Sequence, residues 1–440
     1  MKNLIILFLL IPTLCVSQLP SYPIVLESFF SSYSFHAADP VLALNFAKKK
    51  DGWYVQVINR ITEKVQEEQL FWSLNDSSFH VINGMQGGLP KEESEKETEQ
   101  FINGASLYSF YGYERCRYYG YDTWAVDMIR DFGGRDPRSC SDTLLEGLAR
   151  AYSAHSGHFL WYQQGGYQNQ DASLQKKLLP LEKPSPRRID SVVININKAV
   201  GIFKILAERN LQYETVIGNS GMKVFNELMN GYMQMMMTGY EEKAQLFIRA
   251  ILPNRSITQL AKNYLAGCPP HAILFTFGDN DTYPLWYVQQ HEQFRKDVTV
   301  LNTNLLGFAP YVNMIRRKGL VRFRTGPEYY GDSAFIYFTA KEGNNNSVLD
   351  AENFLEILLE KKFPRSQGDQ FFSLYPSKNI TINVDRDKFS SMSHQPGLKT
   401  SMQLQLGDYF TSDQFLTLDI ILTNLYSRPI LFTGNPHLYQ

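Results

Sequence analysis

Two short apolar runs, His271-Ala272-Ile273-Leu274-Phe275-Thr276 and Asp297-Val298-Thr299-Val300-Leu301-Asn302, flank a helix-forming stretch from Tyr283 to Phe294. Nothing else in the chain constrains its fold as much. Each run reads as a strand, and two strands joined through a helix pair in parallel with a right-handed crossover. Gly278-Asp279-Asn280-Asp281-Thr282 is expected to turn the chain between the first strand and the helix. A second unit closes the sequence: an amphipathic stretch from Thr411 to Tyr426, a strand at Pro429–Thr433 in the same sheet, and a turn at Gly434-Asn435. Ahead of both, Ser256–Leu265 reads as an amphipathic helix with Ile257, Leu260, Ala261, Tyr264 and Leu265 on one side, stopped by Gly267 and Pro269-Pro270. The sequence therefore predicts an α/β domain with a parallel sheet over residues 254–440.

In open α/β sheets, ligands sit beyond the carboxyl ends of the strands. Those ends deliver Asp279, Asn280 and Asp281 from the first strand, Asn302 and Asn304 from the second, and Asn435 and His437 from the last. Asp279 and Asp281, two positions apart, are candidate ligands for a hard cation such as Ca²⁺ or Mg²⁺, or for sugar hydroxyls, with Thr282 capping the following helix. A tight turn followed by an N-cap selects the same residues with no ligand at all, so composition alone leaves both readings open.

Upstream, residues 18–100 suggest a small β-rich region: Val41–Phe46 is apolar, Lys50-Asp51-Gly52 signals a turn, and Trp53–Val57 and Gln69–Trp72 have strand composition. Lys91–Gln100 is almost wholly charged or polar and reads as a solvated linker or an exposed helix start. Residues 101–253 turn helical. Leu144, Leu145, Leu148, Ala151 and Tyr152 share one helix face behind an N-cap at Ser141 or Asp142, and Leu148–Tyr152 has the order of a tetratricopeptide first helix. Ala199 with Phe203, and the stretch Tyr240–Pro253, extend the likeness to a degenerate array interrupted by Gln163–Arg188. Such an array leaves a concave surface for a polypeptide. The aromatic cluster Tyr108, Phe110, Tyr111, Tyr113, Tyr118, Tyr119, Tyr121 and Trp124 is read chiefly as interhelix packing.

Forty-three Lys and Arg against 44 Asp and Glu give a net charge of -1, which removes the electrostatic footprint of a nucleic-acid binder. Lys2, the apolar Leu4–Leu14 and the small residues before Gln18 predict a cleaved signal peptide over residues 1–17, hence a periplasmic, cell-surface or extracellular protein. No later run is long and apolar enough to span a bilayer. Cys116 and Cys140 are a candidate disulfide in an oxidising compartment, leaving Cys268 as a buried thiol. No C-x-x-C, H-E-x-x-H, G-x-S-x-G, P-loop or G-x-G-x-x-G motif is present.

The stretch Ala261-Lys262-Asn263-Tyr264-Leu265, followed by Ala272–Thr276 and Gly278-Asp279-Asn280-Asp281-Thr282-Tyr283-Pro284-Leu285-Trp286-Tyr287, resembles the soluble C-terminal region of the protein O-mannosyltransferase-like group of large bacterial membrane proteins. The likeness continues through Arg295-Lys296-Asp297-Val298, Asn302, Leu305-Leu306, Pro376-Ser377-Lys378, Val384-Asp385, Leu418-Asp419-Ile420-Ile421, Thr423-Asn424 and Arg428-Pro429-Ile430, covering about residues 255–435. Members of that group carry their glycosyltransferase centre in an N-terminal membrane part that has no counterpart in this sequence. The resemblance thus implies an exported module that accompanies glycosylation machinery, not the transferase activity itself. The leading expectation is a non-catalytic binder of a polypeptide or glycan partner. The rival is a sugar-active hydrolase or transferase using Asp279 and Asp281.

Overall fold

The computed structural model describes residues 19–36, 39, 41–59, 68–85, 87–105, 121, 124–161, 183–215, 217–252, 254–329, 336–340, 348–360, 371–375, 377–385, 388, 401–407 and 409–434. The signal segment, Cys116, the aromatic residues from Tyr108 to Tyr119, and Asn435 and His437 lie outside them. The chain is mixed α/β with small sheets and divides into two units, the second beginning at Phe159.

In the first unit, α1 (Tyr22–Ser32) precedes a four-stranded antiparallel sheet of β1 (Leu42–Lys48), β2 (Gly52–Asn59), β3 (Gln69–Ser73) and β4 (Ser78–Phe79), paired in sequence order. Helices α2 (Lys91–Ala105), α3 (Trp124–Phe132) and α4 (Asp142–Trp161) follow, the last running on into the second unit. Tyr22, Phe29, Phe46, Trp53 and Phe71 form an aromatic core. Tyr121 belongs to it, its ring 4.7 Å from Tyr22 and 5.0 Å from Trp53. Its hydroxyl donates to buried Asp127 at 2.8 Å, which also pairs with Lys48 and Arg130. The charged run at Lys91 is helical and not a linker: Ser94, Glu97 and Thr98 fall on the buried side of α2. Ser141 caps α4, its hydroxyl accepting from the Leu144 amide.

The second unit opens with α5 (Pro186–Arg209), a two-stranded ribbon of β5 (Glu214–Thr215) and β6 (Gly218–Asn219), α6 (Ser220–Thr238) and α7 (Glu241–Arg249). Consecutive helices pack: α5 on α6, α6 on α7. Where α6 meets α7, Gly231 lies against the Phe247 ring so closely that a Cβ would sit 2.8 Å from it. Then come α8 (Arg255–Gly267), β7 (Ile273–Thr276), α9 (Gly278–His291), β8 (Thr299–Asn302) and α10 (Ala309–Lys318). The remainder holds β9 (Ile336–Ala340), β10 (Val348–Asp350), α11 (Ala351–Glu360), β11 (Phe371–Tyr375), β12 (Asn379–Asn383), β13 (Ser401–Gln405), β14 (Tyr409–Phe410), α12 (Ser412–Asn424) and β15 (Ile430–Phe432).

β7 and β8 pair in parallel and β15 joins them in parallel, in the order β15-β7-β8. Two further three-stranded sheets, β10-β12-β13 and β11-β9-β14, were not foreseen from sequence. The parallel sheet is buried on both faces, which explains why its strands read as apolar runs. Ile273, Phe275, Leu301, Ile430 and Phe432 face a core shared with α10, α11 and α12. Leu274, Val300 and Leu431 face the opposite core, shared with α5–α9. The fully buried ones, Ile273, Leu274, Phe275 and Leu301, each contribute about 1.5–3 kcal/mol of burial, and the half-buried β15 residues less.

Two helices differ from their sequence readings. α12 is not amphipathic: Phe415–Leu422 are buried all round, Asp419 included. That carboxylate accepts from the Arg324 and Thr325 amides at 2.7 Å each, from the Thr325 hydroxyl at 2.5 Å and from the Thr423 hydroxyl at 2.9 Å, so its desolvation is offset. α8 buries Thr258, Ala261 and Leu265 but leaves Leu260 and Tyr264 exposed.

Several residues that carry the sequence resemblance brace the amino-terminal end of the parallel sheet. The Arg428 guanidinium donates to the carbonyls of His271 (2.7 Å), Leu320 (2.7 Å) and Ala272 (3.2 Å) and to the Thr299 hydroxyl (2.6 Å). Arg295 binds the Asp297 carboxylate with two nitrogens, at 2.8 and 2.9 Å, and Asp297 accepts the His271 amide at 3.0 Å. These contacts leave the carboxyl ends of the strands as the end with chemistry to account for.

Candidate functional site at the strand ends

Gly278 to Thr282 do not form the expected turn; they are the first turn of α9. The chain leaves β7 through Gly278 at φ +73, a left-handed conformation that glycine adopts without strain. The N-cap is Phe277, which supplies no side-chain hydrogen bond. Thr282 is therefore not the cap. It is fully buried one turn in, its hydroxyl 2.6 Å from that of Thr276 and donating to the Gly278 carbonyl at 2.7 Å.

Residues two apart on a helix lie about 200° apart around its axis, so the helix sends Asp279 and Asp281 to different neighbours. Asp279 turns to α6 and accepts from Asn226 Nδ2 at 3.2 Å. Burial, with the Asp279 and Glu227 carboxylates and a hydrogen bond to Asp279, pushes the Tyr283 phenol well above its usual range. Beside them, Lys223 pairs with Glu227 at 2.5 Å, both largely buried. Asp281 turns instead to the end of β15, where the Thr433 hydroxyl lies 3.4 Å from its carboxylate. Among the described residues no three His, Cys, Asp or Glu side chains are grouped as a metal ion would require. Both acids sit in the first turn of α9, where they complement the helix dipole and weaken the attraction of that helix end for an anion.

The last rung of the sheet is polar. Register pairs Thr276 with Asn302, and Thr433 follows β15 with its amide on the Phe275 carbonyl at 2.9 Å. Strand alternation puts Asn302 on the same face as Val300, toward α6 and α9, where Thr276 also meets Thr282. Asn302 is 1% exposed, and among the described residues neither its carboxamide oxygen nor its nitrogen has a hydrogen-bond partner. Its backbone amide is satisfied by the Tyr311 hydroxyl at 3.0 Å. Asn280 and Asn304 are exposed nearby, with Asn304 Nδ2 4.0 Å from where a Gly278 Cβ would stand.

The structure thus gathers Asp279, Asn280, Asp281, Asn302 and Asn304 at one end of one sheet. Sequence reasoning missed Thr276, Thr433, Tyr283 and Asn226. The two threonines were legible as the final residues of their strands; Asn226 lies 53 positions before its partner and carried no local signal.

Residues 257–439 match the family model of TMEM260-associated domain 2, in keeping with a TMEM260-like C-terminal region. No curated protein and no solved structure matches the chain. Among the described residues, no helix is long and apolar enough to cross a membrane.

Proposed function

We propose that this chain is an exported, non-catalytic interaction protein that binds a polypeptide or glycan partner in the cell envelope at the strand ends of its parallel sheet, in association with protein glycosylation. The observation that carries the reading is Asn302. A buried carboxamide without partners costs about 1–3 kcal/mol per unsatisfied group, and such a cost persists where a ligand repays it. A carboxamide offers donors and an acceptor together, which matches an uncharged polar group such as a peptide amide or a sugar hydroxyl. The divergence of Asp279 and Asp281 favours binding over hydrolysis or transfer, because the two carboxylates do not bracket a single reacting atom. The helical region of residues 101–253 is, in this reading, a degenerate tetratricopeptide-like array that holds the polypeptide part of the partner. The residues before Gln18 are its cleaved signal.

The test is a glycan and peptide array probed with the chain from Gln18 onward and with Asn302→Leu, a near-isosteric change. The reading expects a defined set of ligands for the wild type and their loss in the variant. An identical set for both proteins, or no ligand for either, overturns it.

A further inference from the structure

A cavity of about 540 Å³ runs along the edge of β8 that no strand pairs with among the described residues. Its walls are aromatic and thioether side chains, with Tyr232, Trp286 and Tyr311 chief among the rings; Val298 and Val300 form the floor. Glu242, Gln245, Gln290, Lys296 and Lys318 stand among the lining residues, and Lys318 pairs with Glu241 at 2.5 Å.

β8 is an edge strand, so alternate backbone groups point away from β7 and into this region. Because the Thr299 amide donates to the Ala272 carbonyl, Val298, Val300 and Asn302 present the outward groups. Three are occupied by side chains. Gln289 Nε2 donates to the Val298 carbonyl at 2.8 Å, Trp286 Nε1 to the Val300 carbonyl at 3.2 Å, and the Asn302 amide donates to the Tyr311 hydroxyl at 3.0 Å. The Val300 amide has no protein acceptor among the described residues. An added peptide strand would need the two carbonyls that Gln289 and Trp286 hold, so these caps stop the sheet from growing. What fits is a compact ligand that brings one acceptor.

We propose that this cavity binds a neutral N-acylated sugar, its ring against the partly exposed Trp286, its acyl carbonyl accepting the Val300 amide, and its hydroxyls on the carboxamides of Gln245 and Gln290. Aromatic rings accept the apolar face of a sugar ring as they accept other C–H surfaces. Rim groups of both charge signs together with two carboxamides suit hydroxyls, which donate and accept, better than a ligand of net charge. The volume lies within the range of small-ligand sites. Asn302 is not among the cavity's lining residues, so this site and the one at the strand ends stand or fall separately.

The probes are N-acetylglucosamine and glucose, followed by ligand-observed saturation-transfer NMR on the full chain. N-acetylglucosamine is expected to bind about tenfold more tightly than glucose, the factor one net hydrogen bond supplies. Gln245→Trp, at a half-exposed rim position, should abolish binding with the melting temperature unchanged. Val300→Pro removes the amide at an edge position and should bring N-acetylglucosamine down to the level of glucose. Should that variant fail to fold, the comparison of the two sugars and the Gln245→Trp result decide. Equal binding of the two sugars, no transfer to N-acetylglucosamine at about 10 mM, binding that survives Gln245→Trp, or binding of N-acetyl-phenylalaninamide where the sugar fails would each overturn the proposal.

Discussion

Thr276 and Asn302 are register partners on the last rung of the β7–β8 ladder, and they differ in how their side chains are satisfied. The Thr276 hydroxyl lies 2.6 Å from that of Thr282 and 3.1 Å from the Leu301 carbonyl, whereas both polar atoms of the equally buried Asn302 carboxamide lack a hydrogen-bond partner among the described residues. Neighbours on one face of one sheet thus contrast a closed network with an open group. That contrast separates scaffold from candidate site.

Asp419 belongs to the scaffold. Asp419→Ala leaves the Arg324 and Thr325 amides and the Thr325 hydroxyl without their acceptor. At about 1–3 kcal/mol for each unsatisfied donor, the loss should reach roughly 3 kcal/mol or more, read from urea unfolding midpoints. Asp419→Asn keeps an acceptor oxygen and should cost less. Equal midpoints for wild type and Asp419→Ala would contradict the assignment.

The Arg295–Asp297 pair predicts a pH dependence. The Arg295 guanidinium and the His271 amide hold the Asp297 carboxyl well below the usual carboxylate range. A depressed folded-state value contributes stability that is present above the unfolded value, roughly 4, and lost as the pH falls toward the folded one. Asp297→Asn should therefore be less stable than wild type at pH 7, and the gap should narrow progressively below about pH 4. A gap that does not change with pH would show that the charge plays no part.

Asp279 and Asp281 point to different neighbours, so added Ca²⁺ should leave the melting temperature where it is, as should Mg²⁺. Asp279→Asn should weaken the tie to α6 made through Asn226, without altering the contact of Asp281 with Thr433. A rise in melting temperature with millimolar Ca²⁺, abolished by Asp279→Asn or by Asp281→Asn, would instead support a cation site.

The parallel unit was legible because a strand buried on both faces writes itself as an apolar run, as Ala272–Phe275 does and Val298–Leu301 does with only Thr299 interrupting. The Gly278–Thr282 segment was misread because glycine, two acids, an asparagine and a nearby Pro284 all favour turns locally. Burial of Thr282, Tyr283, Leu285, Tyr287 and Val288 makes it helix instead. α12 was misread for the opposite reason: Asp419 marks a polar face in sequence, yet its partners arrive from residues about 95 positions earlier. The positions of Asn302 and Asn304 at a strand end could be read directly. That Asn302 lacks partners could not, since it depends on the placement of elements distant in sequence.

The most direct test of the account is the stability of Asn302→Leu without any ligand. An unsatisfied buried carboxamide replaced by an apolar side chain of similar size should leave the protein as stable as wild type or more so, by up to about 1–3 kcal/mol in urea unfolding. A variant destabilised by about 1 kcal/mol or more would mean that the carboxamide already holds the fold together, and that it is not an open group awaiting a ligand.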